Sequence, residues 1–430
     1  MTPLPSSSSL PRPRGLWLSK ELPFPLDAGD RVYSGHLARA LADAGADVTF
    51  VGFPPDGGAR LPPDWPLKWQ SVTGKRDSAW RGLLSHLPLV AACHATRAYR
   101  WLVEALAWQR WDFVVFDNYA MAWALDIVQA SADAQRPPTL VFIAHDHAET
   151  LTRTIYREYS GPLPKRLALW LNHLKTRWLE RKVARNVDIV SVITPSDADT
   201  FARIAPNAQI VVLKPGFTGH VDATRSITAA TPRRVVMVGS FLWVAKQENL
   251  RRFVRAADPA FAAHGIEFHV LGKMPPALKQ EIEQSTRATH LHGFVEDVAP
   301  HFRAARIAVV PEVIGGGFKM KILDYLFGRV PVAALRRAAE GLPAALTDAM
   351  LCDDEIEEMV ATICAHIDRT DALDAMQQRA FEIARALFRW QDRGASLLAL
   401  IRRDMRSGPQ ARPQREPHAA HASDIEEGTT

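Results

Sequence analysis

The chain has 430 residues, 47% of them hydrophobic and 23% charged, which is long enough for two α/β domains and too apolar for a disordered polymer. Its net charge of +5 permits acidic ligands or an anionic membrane surface but does not argue for nucleic acid. No run approaches the ~18 apolar residues of a membrane span, and the scattered thiols Cys93, Cys352 and Cys364 lack metal-ligand spacing and fit a reducing cytoplasm.

Residues 1–14 have no apolar signal core and read as a disordered lead-in. A βαβ opening follows: a strand at 15–19, a loop with Gly29, Asp30 and Arg31, a helix at about 32–44 and a strand at 47–52. Asp30 reads as a cap of that helix or as a polar loop residue. Residues 53–78, rich in Pro, Gly and charge, read as a loop. Residues 79–109 read as helical, with Trp80, Leu84, Leu87, Trp101, Leu102 and Leu106 as core candidates. Buried parallel strands are expected at 112–117 and 139–144. The second runs into His145, Asp146 and His147, and polar residues at a strand's carboxyl end sit where open α/β sheets bind ligands. A histidine pair at i, i+2 with no other partner is poor zinc spacing, so no metal is expected there. Capping of the next helix is the structural alternative, and Glu149 can pair with Arg153 one turn on.

The helix at 164–187 interleaves Lys165, Arg166, Lys175, Arg177, Arg181, Lys182 and Arg185 with leucines and with Trp170 and Trp178. Two readings stand: an amphipathic surface that lies on anionic membrane, or a core helix with a solvated cationic face. A strand at 188–194 precedes a short helix with Ser196 as its N-cap, and a strand at 209–213 leads to a linker at 218–232. Beyond it, strands are expected at 234–239, 266–272, 289–295 and 307–310, with helices at 248–257 and 279–285 between them. After the last strand come Gly315, Gly316 and Gly317, then a helix that places Ile322, Leu323, Leu326 and Phe327 on one face. Gly328 stops it. Glycines bring backbone close to a ligand, and a helix's first turn offers unpartnered N–H groups, so this stretch has the physics of anion binding. Lys319 and Lys321 add positive charge. Asp324 would lie nearly two turns past Gly317, roughly 10 Å along, where the ribose of a nucleoside diphosphate would fall. The alternative is a tight turn with a solvated Lys321–Asp324 pair. A helix at 388–406 and a disordered tail at 407–430 complete the chain.

The stretch Lys321-Ile-Leu-Asp-Tyr325 behind a glycine loop resembles the donor signature of the retaining glycosyltransferases of family 4. The resemblance covers roughly residues 15–403. It implies the GT-B fold, an α/β architecture of two Rossmann-like parallel-sheet domains facing a cleft: 15–217 on the acceptor side and 233–387 for the nucleotide sugar. The helix at 388–406 would pack back on the first domain. By the same resemblance Asp324 holds the donor ribose. Gly315, Gly316, Gly317, Phe318 and Lys319 line the diphosphate, and Gly293, Phe294 and Val295 line the base. Gly29 belongs to the first-domain loop near the phosphates. Lys246 matches a phosphate lysine one step late, Ser240 stands where many members have Arg, and Gly316 stands where the first acidic residue falls. Glu312 is out of register and is assigned no role. His145, with His147 second, matches the histidine that faces the transferred sugar. The implied reaction moves a sugar from a nucleotide diphosphate sugar to a glycan or lipid-linked hydroxyl, with retention, in cell-surface polysaccharide or glycoconjugate synthesis. It needs no cofactor or metal, and it runs in the cytoplasm or at the inner face of the membrane. An inverting transferase with Asp146 or Asp30 as base, and a catalytically silent nucleotide-sugar scaffold, are the competing readings.

Overall fold

A computed structural model of the chain describes residues 12–26, 28–54, 61–78, 85–133, 135–159, 161–314 and 317–407. Its strands form two all-parallel sheets. The first contains β1 (Arg14–Glu21), β2 (Asp47–Phe53), β3 (Leu67–Ser71), β4 (Phe113–Asp117), β5 (Thr139–Ala144), β6 (Ile189–Val192) and β7 (Gln209–Val212), in the order 3-2-1-4-5-6-7. The second contains β8 (Arg234–Val238), β9 (Glu267–Leu271), β10 (Thr289–Gly293), β11 (Ile307–Val310), β12 (Val332–Leu335) and β13 (Leu351–Asp353), in the order 10-9-8-11-12-13. The inner strands are mostly apolar because helices cover both sheet faces; β5 and β11 have every residue buried.

In the first half the helices are α1 (Gly29–Asp43), α2 (Leu89–His94), α3 (Arg97–Ala107), α4 (Leu125–Ser131), α5 (Ala148–Glu158), α6 (Leu163–Arg185) and α7 (Pro195–Ile204). In the second they are α8 (Val244–His264), α9 (Pro276–Ser285), α10 (Ala299–Arg303), α11 (Lys321–Phe327), α12 (Ala344–Thr347), α13 (Ile356–His366) and α14 (Thr370–Leu387). The last, α15 (Trp390–Ser407), returns to the first sheet. Its Leu397, Leu398 and Ile401 share one core with Leu37 and Leu41 of α1 and Ile143 of β5. The two helices approach so closely that a Cβ on Gly394 would fall 2.1 Å from the Ala40 carbonyl oxygen, so only glycine fits there.

Several local expectations are corrected. The stretch read as a loop contains β3, whose five residues alternate at an edge and bury only Leu67. The helical stretch divides into α2 and α3, and Trp101 is 71% exposed rather than core, because α3 packs through Tyr99 and Val103. Trp80 and Leu84 lie outside the described residues. Thr194, not Ser196, caps α7, its hydroxyl accepting from the Asp197 N–H at 3.1 Å. Asp30 is not the N-cap residue: α1 starts one residue before it, and its carboxylate binds Lys20 and accepts from the Arg31 N–H at 3.0 Å. Among the described residues no helix is long and apolar enough to cross a membrane.

Candidate active site

In each sheet the strand order reverses between two neighbours, β1/β4 in the first and β8/β11 in the second. Crevices at the carboxyl ends of such strands are where open α/β sheets bind ligands. At the first crevice Asp117, buried at the end of β4, accepts from Trp17 Nε1 at 3.0 Å and pairs with His145 Nε2 at 2.7 Å. Ser34 Oγ lies 3.4 Å from the same imidazole nitrogen, and the Tyr33 ring meets the imidazole edge-on. Burial works against charge on both partners. The mutual hydrogen bond and charge outweigh it, lowering the Asp117 carboxyl and, with help from Asp30, raising His145. Beside this pair, Lys20 binds Asp30 at 2.9 Å and Arg31 binds Glu21 at 3.1 Å, and all four line one hollow with His145. Burial opposes the Asp30 charge, but Lys20 overrides it and holds the carboxyl down to about 2.

His147 faces away from that hollow. Its Nδ1 lies 2.7 Å from Thr150 Oγ1 and its ring packs on Phe201. Its Nε2 lies 3.6 Å from Glu180, whose carboxylate accepts from Ala148 and Glu149 N–H groups, both at 2.8 Å. Glu180 therefore caps α5, and burial pushes its carboxyl up to about 8. Glu149 binds Arg181 at 2.8 Å and Arg177 at 3.4 Å rather than Arg153. Asp146 points toward the opposite domain: a Cβ on Gly317, at φ +70°, would come within 3.8 Å of it. Burial raises the Asp146 carboxyl.

At the second crevice three lysines converge on one acid. Glu312, just past β11 and only 1% exposed at its side chain, binds the ammonium of Lys321 directly and that of Lys246 at 3.3 Å. Burial opposes the Glu312 charge; the charges of Lys321, Lys246 and Lys319 overcome it and hold the carboxyl down to about 2. Burial also lowers Lys321 and pushes Lys319 down to about 8, and each feels its neighbours' positive charge. Three ammonium groups gather around Glu312, with Asp146 the further acid that Lys319 feels, so positive charge is in excess there. Lys319 donates to the Gly317 carbonyl at 3.1 Å, and Asn249 of α8 clamps the loop through Val313 and Ile314.

Gly315 and Gly316 lie outside the described residues. Helix α11 does not begin at the glycines but at Lys321, so Phe318 and Lys319 belong to the loop. Asp324 accordingly stands in the first turn rather than two turns along. Its neighbours Ile322, Leu323, Tyr325, Leu326 and Phe327 are buried, while Asp324 itself is exposed. No hydrogen bond or ion pair reaches its carboxylate among the described residues, and the surrounding protein, without a counter-charge, raises it to about 6. The Lys321–Asp324 pair is therefore not formed, because Glu312 has taken Lys321. Phe318 packs across onto the first-domain core and against Phe388. A Cβ on Gly29 would meet Met320 of the second domain at 3.6 Å. Ser240 is exposed beyond β8, Gly293 has φ +70°, Phe294 lies under the Lys273 ammonium, and Val295 packs on the core.

Family profiles match both halves: residues 28–216 fit a glycosyl transferase 4-like domain, and residues 232–369 fit glycosyl transferases group 1. The chain belongs to the group 1 glycosyltransferases. No curated protein matches its sequence significantly. Among solved structures it is similar to WaaG, a glycosyltransferase involved in lipopolysaccharide biosynthesis, with 15% identity, a TM-score of 0.61, and coverage of 89% of this chain and 99% of that one. It is similar also to HepE of Anabaena, solved with UDP and glucose (15% identity, TM-score 0.60, 91% and 100% coverage). A third is α,α-trehalose 6-phosphate synthase of Burkholderia multivorans (11%, 0.56, 93% and 100%). The glycosyltransferase thus has the GT-B fold. Sequence reasoning gave no role to Asp117 or Glu312, whose partners His145 and Lys246 lie 28 and 66 positions away, beyond any local spacing.

Proposed function

We propose that this glycosyltransferase moves a hexosyl group from a nucleoside diphosphate sugar to a hydroxyl of a glycan or lipid-linked acceptor, with retention at the anomeric carbon. The observation that carries the reading is the cationic pocket in which Lys246, Lys319 and Lys321 gather around Glu312. A diphosphate would supply the missing negative charge there, and the same lysines would stabilise it as it leaves. Lysines in that role make a divalent metal at the phosphates unnecessary, so transfer is expected without added magnesium or manganese. The ribose hydroxyls would bind Asp324, the one polar side chain that α11 leaves exposed beyond Lys321. The base would rest on the 293–295 turn. The sugar would extend toward His145, whose imidazole is fixed by Asp117 and placed to hold a sugar hydroxyl or share the acceptor proton. The acceptor would enter by the hollow of Lys20, Asp30 and Arg31.

An inverting reaction has one observation in its favour: Asp146, its carboxyl raised by burial, stands beside His145 where a general base would act. Asp30, held down to about 2 by Lys20, is a poor base. Incubation with a panel of nucleotide sugars, with the product anomer read by NMR, tests the proposal. A product of inverted configuration would select Asp146. Donor binding with neither transfer nor hydrolysis would leave the silent nucleotide-sugar scaffold.

The acceptor class is supported by α6. Leu163, Leu167, Trp170, Leu171, Leu174 and Trp178 form a solvent-exposed apolar stripe, while Leu179 and Val183 bury the other end of the helix. With Lys165 and Arg166 exposed beside it, this stripe suits the interface of an anionic bilayer, where a peripheral enzyme would meet a lipid-linked acceptor.

A further inference from the structure

The second domain carries a histidine cluster that the transfer reaction does not use. β9 and β10 pair in parallel with His290 opposite His269, and the register breaks between Leu291 and Gly293. Alternation puts Phe268 and Val270 into the core and sends Glu267 and His269 to the other face. His290 and His292, two apart on the edge strand, share a face for the same reason, and α10 adds His301. His292 Nε2 lies 2.8 Å from His269 Nδ1, and the His292 and His301 ring centroids are 4.8 Å apart.

We propose that His269, His292 and His301 form a binding site for a divalent transition metal of the zinc class, independent of the donor and acceptor readings. The ligand nitrogens of these three residues all lie within 4.8 Å of one another. Metal–imidazole bonds of about 2.0–2.1 Å in a tetrahedron require nitrogens roughly 3.3 Å apart. Small rotations of the exposed His292 and half-exposed His301 bring that about around the buried His269. The second observation is the group behind His269. Its Nε2 meets Glu267 Oε2 at 3.1 Å, and Glu267 is itself held by Arg234 at 2.8 Å. A carboxylate that takes the Nε2 proton fixes the tautomer and leaves the Nδ1 lone pair facing His292, the outer-sphere arrangement that supports metal-bound histidines. An all-imidazole set favours zinc, nickel, cobalt or copper over magnesium and calcium. The ion would staple the edge strand to α10, with its remaining position open on the solvent side.

A second triplet, Glu267, His269 and His290, shares His269 with the first. It would consume the carboxylate that orients His269, so the first triplet is the one assigned. Calorimetric titration of the dialysed full chain with Zn2+ should show one saturable site, and Co2+ should give the visible absorption of tetrahedral coordination. His292→Ala and His301→Ala should abolish that site while leaving circular dichroism unchanged. Glu267→Gln should weaken it by about 10–100-fold. His290→Ala should leave it intact, and Mg2+ should not compete. The assignment is overturned if Zn2+ binds the His292→Ala/His301→Ala chain as it binds the wild type, or if only His290→Ala removes binding.

Discussion

The ammonium of Lys321 is bound to the carboxylate of Glu312, and Asp324, one turn further along the same helix, has no hydrogen bond or ion pair among the described residues. That division of charge separates an acid that organises the protein from the acid to which the proposed function gives the donor ribose. The Asp324→Asn enzyme should fold normally and bind nucleoside diphosphate about ten- to a hundredfold more weakly, the value of a charge-assisted hydrogen bond of roughly 1.5–3 kcal/mol. Asp324→Glu should retain binding. Calorimetric titration decides, and unchanged affinity in Asp324→Asn would remove the ribose assignment.

Glu312→Gln should behave differently. Removing the acid leaves three lysines facing one another, and breaking a buried pair costs about 3–5 kcal/mol of unfolding free energy. The native carboxyl is held near 2 against an ordinary value of 4.5. Its stabilisation is therefore complete above pH 4.5 and lost as pH falls toward 2. Urea melts at pH 7 and pH 3 should converge in the variant relative to the wild type.

Lys319 gives a proton signature for donor binding. Its ammonium is pushed down to about 8 in the free protein, so near pH 8 a sizeable fraction is neutral. An arriving diphosphate favours the charged form and should draw a proton from solution. Titrations at pH 8 in buffers of different ionisation enthalpy should show uptake that vanishes at pH 6 and in Lys319→Met. No uptake at pH 8 would place the phosphates elsewhere.

His145→Ala should lower turnover by about 10²–10⁴-fold while donor affinity changes little. Asp117→Asn removes the charge that raises His145, so the apparent pKa on the pH–rate profile should move down. An unshifted profile would mean that His145 does not titrate in the reaction. His147→Ala, next to the α5 anchor, should instead lower thermal stability and spare the profile.

The α6 stripe predicts co-sedimentation with anionic vesicles that weakens with salt and with Lys165→Glu/Arg166→Glu. Trp170→Ser/Trp178→Ser should weaken it at every salt concentration. Equal binding to neutral and anionic vesicles would contradict the basic contribution.

Most strands were legible because burial on both faces leaves a run of apolar residues that no surface element imitates: 139–144 and 307–310 read to the residue. β3 was not, since an edge strand in a Pro-rich stretch has only Leu67 to declare it. The apolar periodicity of α11 was plain, but its first residue was not, because that is set by where Glu312 captures Lys321. Helix α6 showed its composition but not its orientation. Which leucines faced solvent depended on α5 and on the loop at Ser85, whose carbonyl accepts from Lys175. The histidine face was invisible for the same reason: β9 and β10 meet only through the sheet register.

The return of α15 to the first sheet bears on how the molecule is made. The core around Leu37, Leu41 and Ile143 lacks one wall until Leu397, Leu398 and Ile401 arrive. During synthesis the amino-terminal half therefore emerges with that apolar surface open, and it waits through the manufacture of the whole second sheet before it is closed. The two crossings between halves are bonded together, Phe217 N–H to the Phe388 carbonyl at 2.9 Å, with Trp390 over Gly216 and Arg393 on the Lys214 carbonyl. A ribosome that stalls before residue 390 would release a chain with one finished half and one unsealed one, and the unsealed half is the one that carries His145.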